Sequence, residues 1–169
     1  MHKKITIITG EINSGKTTQL KHLIETFTDK RVGGVIAEGL FDNCKDRKSG
    51  FTVRSLESGE SRLLLSEVEV KGMIPVGRFW MSGEVLTWAC DQIKYGINGD
   101  IIVIDEIGHL ELQCKGYYDV LKLVLDEFLG ELILVIRKEL ILQVQELFCL
   151  DPDGIDLIQV ENRKRQEIK

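Results

Sequence analysis

Residues Gly10-Glu11-Ile12-Asn13-Ser14-Gly15-Lys16-Thr17 have the form G-x-x-x-x-G-K-[ST]. Each fixed position has a chemical reason. Glycines let a loop turn its backbone N–H groups inward, and a helix beginning at the loop's end adds the positive end of its dipole; both favour phosphate. A lysine at Lys16 reaches β- and γ-phosphates, and the hydroxyl of Thr17 can join the coordination sphere of Mg²⁺. With glycine near 7% of residues, a chance match in a chain of this length is on the order of one in a hundred or rarer. Thr18 reads as a helix-start residue. Asn13 stands where many such loops carry a further glycine, and asparagine tolerates left-handed backbone better than most residues.

A second constellation follows the apolar run Ile101-Ile102-Val103-Ile104, which delivers Asp105-Glu106 to the carboxyl end of a strand. Open α/β sheets place their ligands there. Asp105 would hold Mg²⁺ with Thr17, mostly through water, and Glu106 would orient or deprotonate an attacking water. An acidic pair alone is more often a strand reaching the surface; its company with the phosphate loop turns the reading toward chemistry. Eighty-nine positions separate Lys16 from Asp105, room for an extra strand between the two motif strands. With the glutamate, that resembles the P-loop enzymes using a catalytic acid more than it does small-molecule kinases.

These groups need elements to position them. Ile5–Thr9 is a strand buried on both faces, and Lys16–Phe27 a helix with Leu20, Leu23, Ile24 and Phe27 on one side. Gly33-Gly34 punctuate the start of a strand at Val35–Glu38. Between 41 and 72 the pattern suggests an inserted antiparallel hairpin, Phe51–Leu56 and Leu63–Leu65 around Glu57–Glu60, with a further strand at Val76–Met81. Ser82 caps a helix over 83–95. A helix at Tyr117–Phe128, a strand at Leu132–Ile136, a helix at Lys138–Phe148 and a strand at Asp156–Val160 complete the chain. The alternation predicts an α/β fold, a mostly parallel sheet with helices on both faces, in one domain over 1–169.

Composition limits the alternatives. The chain has 169 residues, 43% hydrophobic and 29% charged, with a net charge of −5. That balance suits one globular core burying roughly 70% of its unfolded surface, and it argues against nucleic acid as partner. The dispersed Cys44, Cys90, Cys114 and Cys149 read as reduced thiols in a cytoplasmic protein, without zinc spacing. The basic and apolar start is too short for a signal peptide, and Leu121–Ile136 carries too many charges to span a membrane.

The phosphate loop with Thr18, Val32-Gly33-Gly34 with Glu38, Gly50-Phe51, Val76–Phe79, Ile104–Leu112 and Glu161-Asn162-Arg163 occur in this order. The set resembles the THEP1-type nucleoside-triphosphatases, most specifically in Ile104-Asp105-Glu106-Ile107-Gly108 followed by Leu110-Glu111-Leu112. The resemblance implies a RecA-like core, dependence on Mg²⁺, and slow hydrolysis of ATP, GTP and other nucleoside triphosphates with weak base preference. It implies that Gly10 to Thr17 bind phosphates, that Val103, Ile104, Asp105, Glu106, Ile107 and Gly108 wall the nucleotide site, and that Asn162 and Arg163 contact base or sugar. Glu111 would be an acid behind the site or a solvated charge beside it. Three departures stand out besides Asn13: Glu38-Gly39 replaces an expected pair of glutamates, Gln159-Val160 an expected threonine, and Ile136-Arg137 an expected Gly-Thr step whose hydroxyl would sense the γ-phosphate.

An arginine reaching the γ-phosphate would neutralise transition-state charge. Arg78, Arg137 and Arg163 are candidates, each also readable as a solvated side chain, with Arg137 the most interesting. His109 has a weak case as a catalyst. Trp80 and Trp88 read as core residues before base-stacking ones, and Asp42–Lys48 as a solvated turn that could cover the site. Three functions remain open: Mg²⁺-dependent hydrolysis with Lys16 and Glu106 as catalytic groups, a nucleotide-binding switch with little turnover, and a small-molecule kinase.

Overall fold

Near-continuous runs of Ile, Leu and Val leave strands no polar face, so they must be covered on both sides. The computed structural model describes residues 3–43 and 47–161. The chain runs β1 (Ile5–Gly10), α1 (Lys16–Glu25), β2 (Val32–Phe41), β3 (Lys48–Ser55), β4 (Ser61–Ser66), β5 (Ile74–Val76), β6 (Phe79–Met81), α2 (Gly83–Tyr95), β7 (Ile101–Ile107), α3 (His109–Leu112), α4 (Tyr118–Glu127), β8 (Glu131–Arg137), α5 (Ile141–Leu147) and β9 (Ile155–Val160). The strands form one sheet in the order β5-β6-β4-β3-β2-β7-β8-β1-β9. From β9 to β2 the pairings are parallel; from β2 outward to β5 they are antiparallel. The segment read as an inserted hairpin therefore extends the same sheet beyond β2, and the strand expected over Val76–Met81 is two short strands turning at Gly77-Arg78.

Alternation along the central strands sorts side chains to two faces. Ile102, Ile104, Leu132, Leu134 and Ile136 join the larger cluster, with Ala89, Ile93, Leu121, Val124 and Val144 from α2, α4 and α5. Ile101, Val103, Ile133 and Val135 join the smaller one, closed by α1 through Leu20, with Leu23, Ile24 and Phe27 against it. Ser82 caps α2 as expected, its hydroxyl accepting from the Val85 N–H at 3.2 Å. Helix α5 begins three residues late, after a 3₁₀ turn over Lys138–Leu140. Short α3 has no periodic apolar signature and was not expected. Among the described residues no helix is long and apolar enough to cross a membrane.

A strand does intervene between the two motif strands, but it does not come from the residues between Lys16 and Asp105. It is β8, which follows both motifs in sequence and pairs with β1 on one side and β7 on the other. The intervening residues build β2 and the antiparallel extension instead.

Gly33 and Gly34 lie inside β2 rather than before it. Gly34 has φ +94°, and a Cβ there would stand 2.0 Å from the Val103 carbonyl oxygen. The pairing of β2 beside β7, with Gly34 in register with Val103, requires it. Gly34→Ala is expected to cost about 2–4 kcal/mol, combining backbone strain with the clash. Gly59→Ala, at φ +74° with open space around the added atom, should cost about 1–2 kcal/mol from strain alone. Chemical denaturation of the two variants checks the difference.

Candidate functional site

The carboxyl ends of β1, β8 and β7 lie side by side, and the sequence motifs lie on them. Register pairs Gly10 with Arg137 and Val135 with Asp105. Helix α1 starts at Lys16, so the loop 10–15 leads straight into a helix N-terminus. Asn13 has φ +59°, the left-handed conformation its residue type permits. Gly10 has no room for a side chain: an added Cβ would meet Ser14 Oγ at 2.4 Å and the Val160 carbonyl at 2.6 Å.

Lys16 is buried, 6% exposed. Its Nζ donates to the carbonyl oxygens of Gly10 at 3.2 Å and Glu11 at 2.8 Å, across the loop. Burial pulls its amine below the ordinary lysine range, opposed by the charge of Glu106. Ser14 Oγ is buried, with no hydrogen-bond partner among the described residues.

Asp105 is 2% exposed. Its Oδ2 accepts from Thr17 Oγ1 at 3.1 Å and from the Ala37 N–H at 3.3 Å, tying β7 to α1 and β2. Desolvation, with the adjacent Glu106 charge adding to it, pushes its carboxyl up to about 7. Glu106 is partly exposed and accepts from Arg137 Nε at 2.8 Å. Lys16 at the start of α1, Arg137 at the end of β8 and Asp105 and Glu106 near the end of β7 thus place two cations and two carboxyl groups at this edge of the sheet.

One turn along α1 from Thr17, Lys21 pairs with Glu38 at 2.6 Å, and Arg54 from β3 meets the same carboxylate at 3.4 Å. The Lys21 hydrogen bond holds Glu38 below the usual carboxylate range. Sequence reading singled out Glu38 but not its partners; the i, i+4 spacing of Thr17 and Lys21 was the available signal.

The other expected site residues take the following places. Val103, Ile104 and Ile107 are wholly buried, and their side chains pack in the two apolar clusters. Glu111 is neither solvated nor free: it is 3% exposed and accepts from the N–H groups of Gly108 at 2.7 Å and Tyr117 at 2.8 Å. It braces the turn after β7, and burial holds its carboxyl above the usual range. Arg78 is engaged by Glu67 and by the Lys48 carbonyl in the antiparallel extension. Trp88 lies against the larger cluster under the Arg62 guanidinium, 4.4 Å from its ring centre, and Trp80 lies in β6. His109 is exposed. Asn162, Arg163, Cys44, Lys45 and Asp46 lie outside the described residues.

Asp105→Asn removes the desolvated charge while keeping an oxygen for Thr17 and Ala37. A carboxyl raised on folding stabilises the fold below its unfolded value and loses that contribution as pH rises to its folded value. In metal-free buffer the variant should match the parent near pH 4 and gain between there and about 7. Above that its melting temperature should be higher, by about 2–4 °C per kcal/mol relieved. Thermal melts across pH check this.

The chain is similar in sequence and in fold to known proteins. The nucleoside-triphosphatase THEP1 of Hyperthermus butylicus is 28% identical over 170 residues, covering 96% of this chain and 86% of the relative. The crystal structure of THEP1 from Aquifex aeolicus superposes with a TM-score of 0.63 at 23% identity, covering 97% of this chain and 93% of the other. The solution structure of a human cancer-related nucleoside triphosphatase does so at 0.67 and 18%, covering 98% and 93%. A family model described as NTPase matches residues 5–169. With its phosphate loop and acidic strand end at the same edge of that fold, on strands separated by β8, the chain belongs to the NTPase family, as a divergent member of the THEP1 type.

Proposed function

We propose that this chain, acting as one nucleotide-binding domain, hydrolyses nucleoside 5′-triphosphates to the diphosphate and phosphate with Mg²⁺, with little base preference. The observation that carries the reading is the 3.1 Å hydrogen bond between Thr17 and Asp105. It brings together the hydroxyl and the carboxylate that the two motifs supply for a cation. The donor set fits: both ligands are hard oxygens, and a carboxylate pushed up to about 7 by burial gains from a cation beside it. When bound, Mg²⁺ would neutralise charge on the β- and γ-phosphates.

The chain's own residues do the rest. Loop amides from Glu11 to Thr17 and the N-terminus of α1 bind phosphate oxygens. The unpartnered Ser14 hydroxyl suits an acceptor there. Lys16 exchanges its two loop carbonyls for phosphate oxygens, where its charge stabilises the transition state. Glu106 orients a water and accepts its proton as the oxygen–phosphorus bond forms and the bond to the β-phosphate oxygen breaks; the proton leaves with the released phosphate.

The absence of a threonine hydroxyl after β8 is what would favour a nucleotide-binding switch with little turnover. Arg137 lies at that strand end, 2.8 Å from Glu106, so the position carries a charged group. A small-molecule kinase would need an acceptor pocket and a lid bearing arginines, for which residues 41–72 are the candidate; there Arg47 pairs with Glu67, Arg54 with Glu38 and Arg62 with Glu60. The free thiols of Cys90, Cys114 and Cys149 suit a cytoplasmic location.

Phosphate release from ATP, GTP, CTP and UTP, with and without Mg²⁺, tests the proposal. Turnover is expected with all four and only with the cation. Glu106→Gln should lower kcat by about 10²–10⁴-fold while retaining nucleotide, and Lys16→Ala should weaken binding as well. Undiminished release from Glu106→Gln would sink it.

A further inference from the structure

Arg137 stands at the end of the strand that separates the phosphate loop from the acidic pair. Its register partner is Gly10, the first residue of the loop. Alternation from Ile133 and Val135 carries its side chain to the face that α1 covers, the face of Asp105 and Thr17. Its Nε donates to Glu106 at 2.8 Å. Among the described residues nothing accepts from its two Nη nitrogens. The guanidinium is about one-third exposed, and an ion pair so exposed adds little to stability. Its charge is felt by Lys16, whose amine it pulls down. Two cations held that close gain from a polyanion between them.

The geometry points to Arg137 as the γ-phosphate-reading residue of this chain, anchored through Nε to Glu106 and presenting its Nη groups to the terminal phosphate. This deepens the hydrolytic reading and rests on it for the identity of the nucleotide. One guanidinium links the group that activates water to the group that water attacks, so Glu106 is aligned when a triphosphate is present. A diphosphate offers the Nη groups nothing. Arginine suits the task because its donors form a rigid fork, one edge of which serves a carboxylate while the other serves a phosphate.

Equilibrium binding of ADP and of a non-hydrolysable ATP analogue, each with Mg²⁺, separates this from a purely structural pair. Arg137→Ala should weaken the triphosphate analogue by about ten-fold or more, the value of a charged hydrogen bond, and leave ADP unchanged. Its kcat should fall by about 10³-fold, with partial recovery on adding guanidinium. Arg137→Lys should keep part of the preference. Glu106→Gln should keep it fully while losing turnover, because the amide oxygen still accepts from Nε.

Equal weakening of both nucleotides, or unchanged kcat in a folded Arg137→Ala protein, overturns the assignment. If the parent releases no phosphate, hydrolysis fails, and the assignment of Arg137 stands where Arg137→Ala loses the parent's preference for the triphosphate and is overturned where it keeps it. If Arg137→Ala does not fold by thermal melt, Arg137→Lys decides: a triphosphate preference equal to the parent's, with equal kcat, overturns it.

Discussion

A carboxylate buried at the end of a strand that is itself buried on both faces is the constraint from which the site follows. Asp105 cannot reach water, so its surroundings must supply what water would have. The Thr17 hydroxyl and the Ala37 N–H do so from α1 and from β2. To offer them, β2 must pair closely with β7, which requires a glycine at Gly34. Helix α1 must begin where β1 ends, with a loop short enough to bring Thr17 over β7. The phosphate loop and the cation site are one piece of geometry, because the same helix carries Lys16 and Thr17 on successive residues.

The parts of this arrangement that are local were legible. Apolar runs located β1, β7 and β8, an asparagine able to take left-handed backbone was recognised at Asn13, and Ser82 identified the start of α2. What was illegible is non-local. Sheet order is decided by which strands find each other, so the strand separating the two motifs is β8 and comes from outside the stretch that the spacing of the motifs points to. Gly33-Gly34 look like punctuation because nothing nearby in sequence says that Gly96 packs against the first and the neighbouring strand β7 against the second. Val103, Ile104 and Ile107 neighbour the acidic pair in sequence, yet the pleat turns them into the core. The charge of Glu111 suggested solvent or chemistry, whereas its two backbone partners lie three and six residues away in a turn without a periodic signature.

Arginine 137 shows the limit most clearly. Its type and its strand-end position were visible, and so was the absence of the threonine expected there. Its partner was not, since Glu106 lies thirty-one positions earlier and meets it only through parallel pairing of β7 and β8. Substitution by a longer, charged side chain changes what the strand end can touch. A hydroxyl there would serve one oxygen, while a guanidinium spans from a neighbouring carboxylate outward.

The two faces of the sheet are unequally covered. Among the described residues, α2, α4 and α5 contribute to one and α1 alone to the other. Helix α1 is ten residues long, too short to persist by its own propensity, and it is held down by a few apolar side chains. Detaching it would dismantle the phosphate loop and uncover the smaller cluster while leaving α2, α4 and α5 on the larger one, a local rather than a global opening. Anything seated on its N-terminus therefore acts as a clasp. Part of the free energy of binding would be spent keeping one helix on its sheet, so amide exchange along α1 reports occupancy of the loop while the other face stays silent.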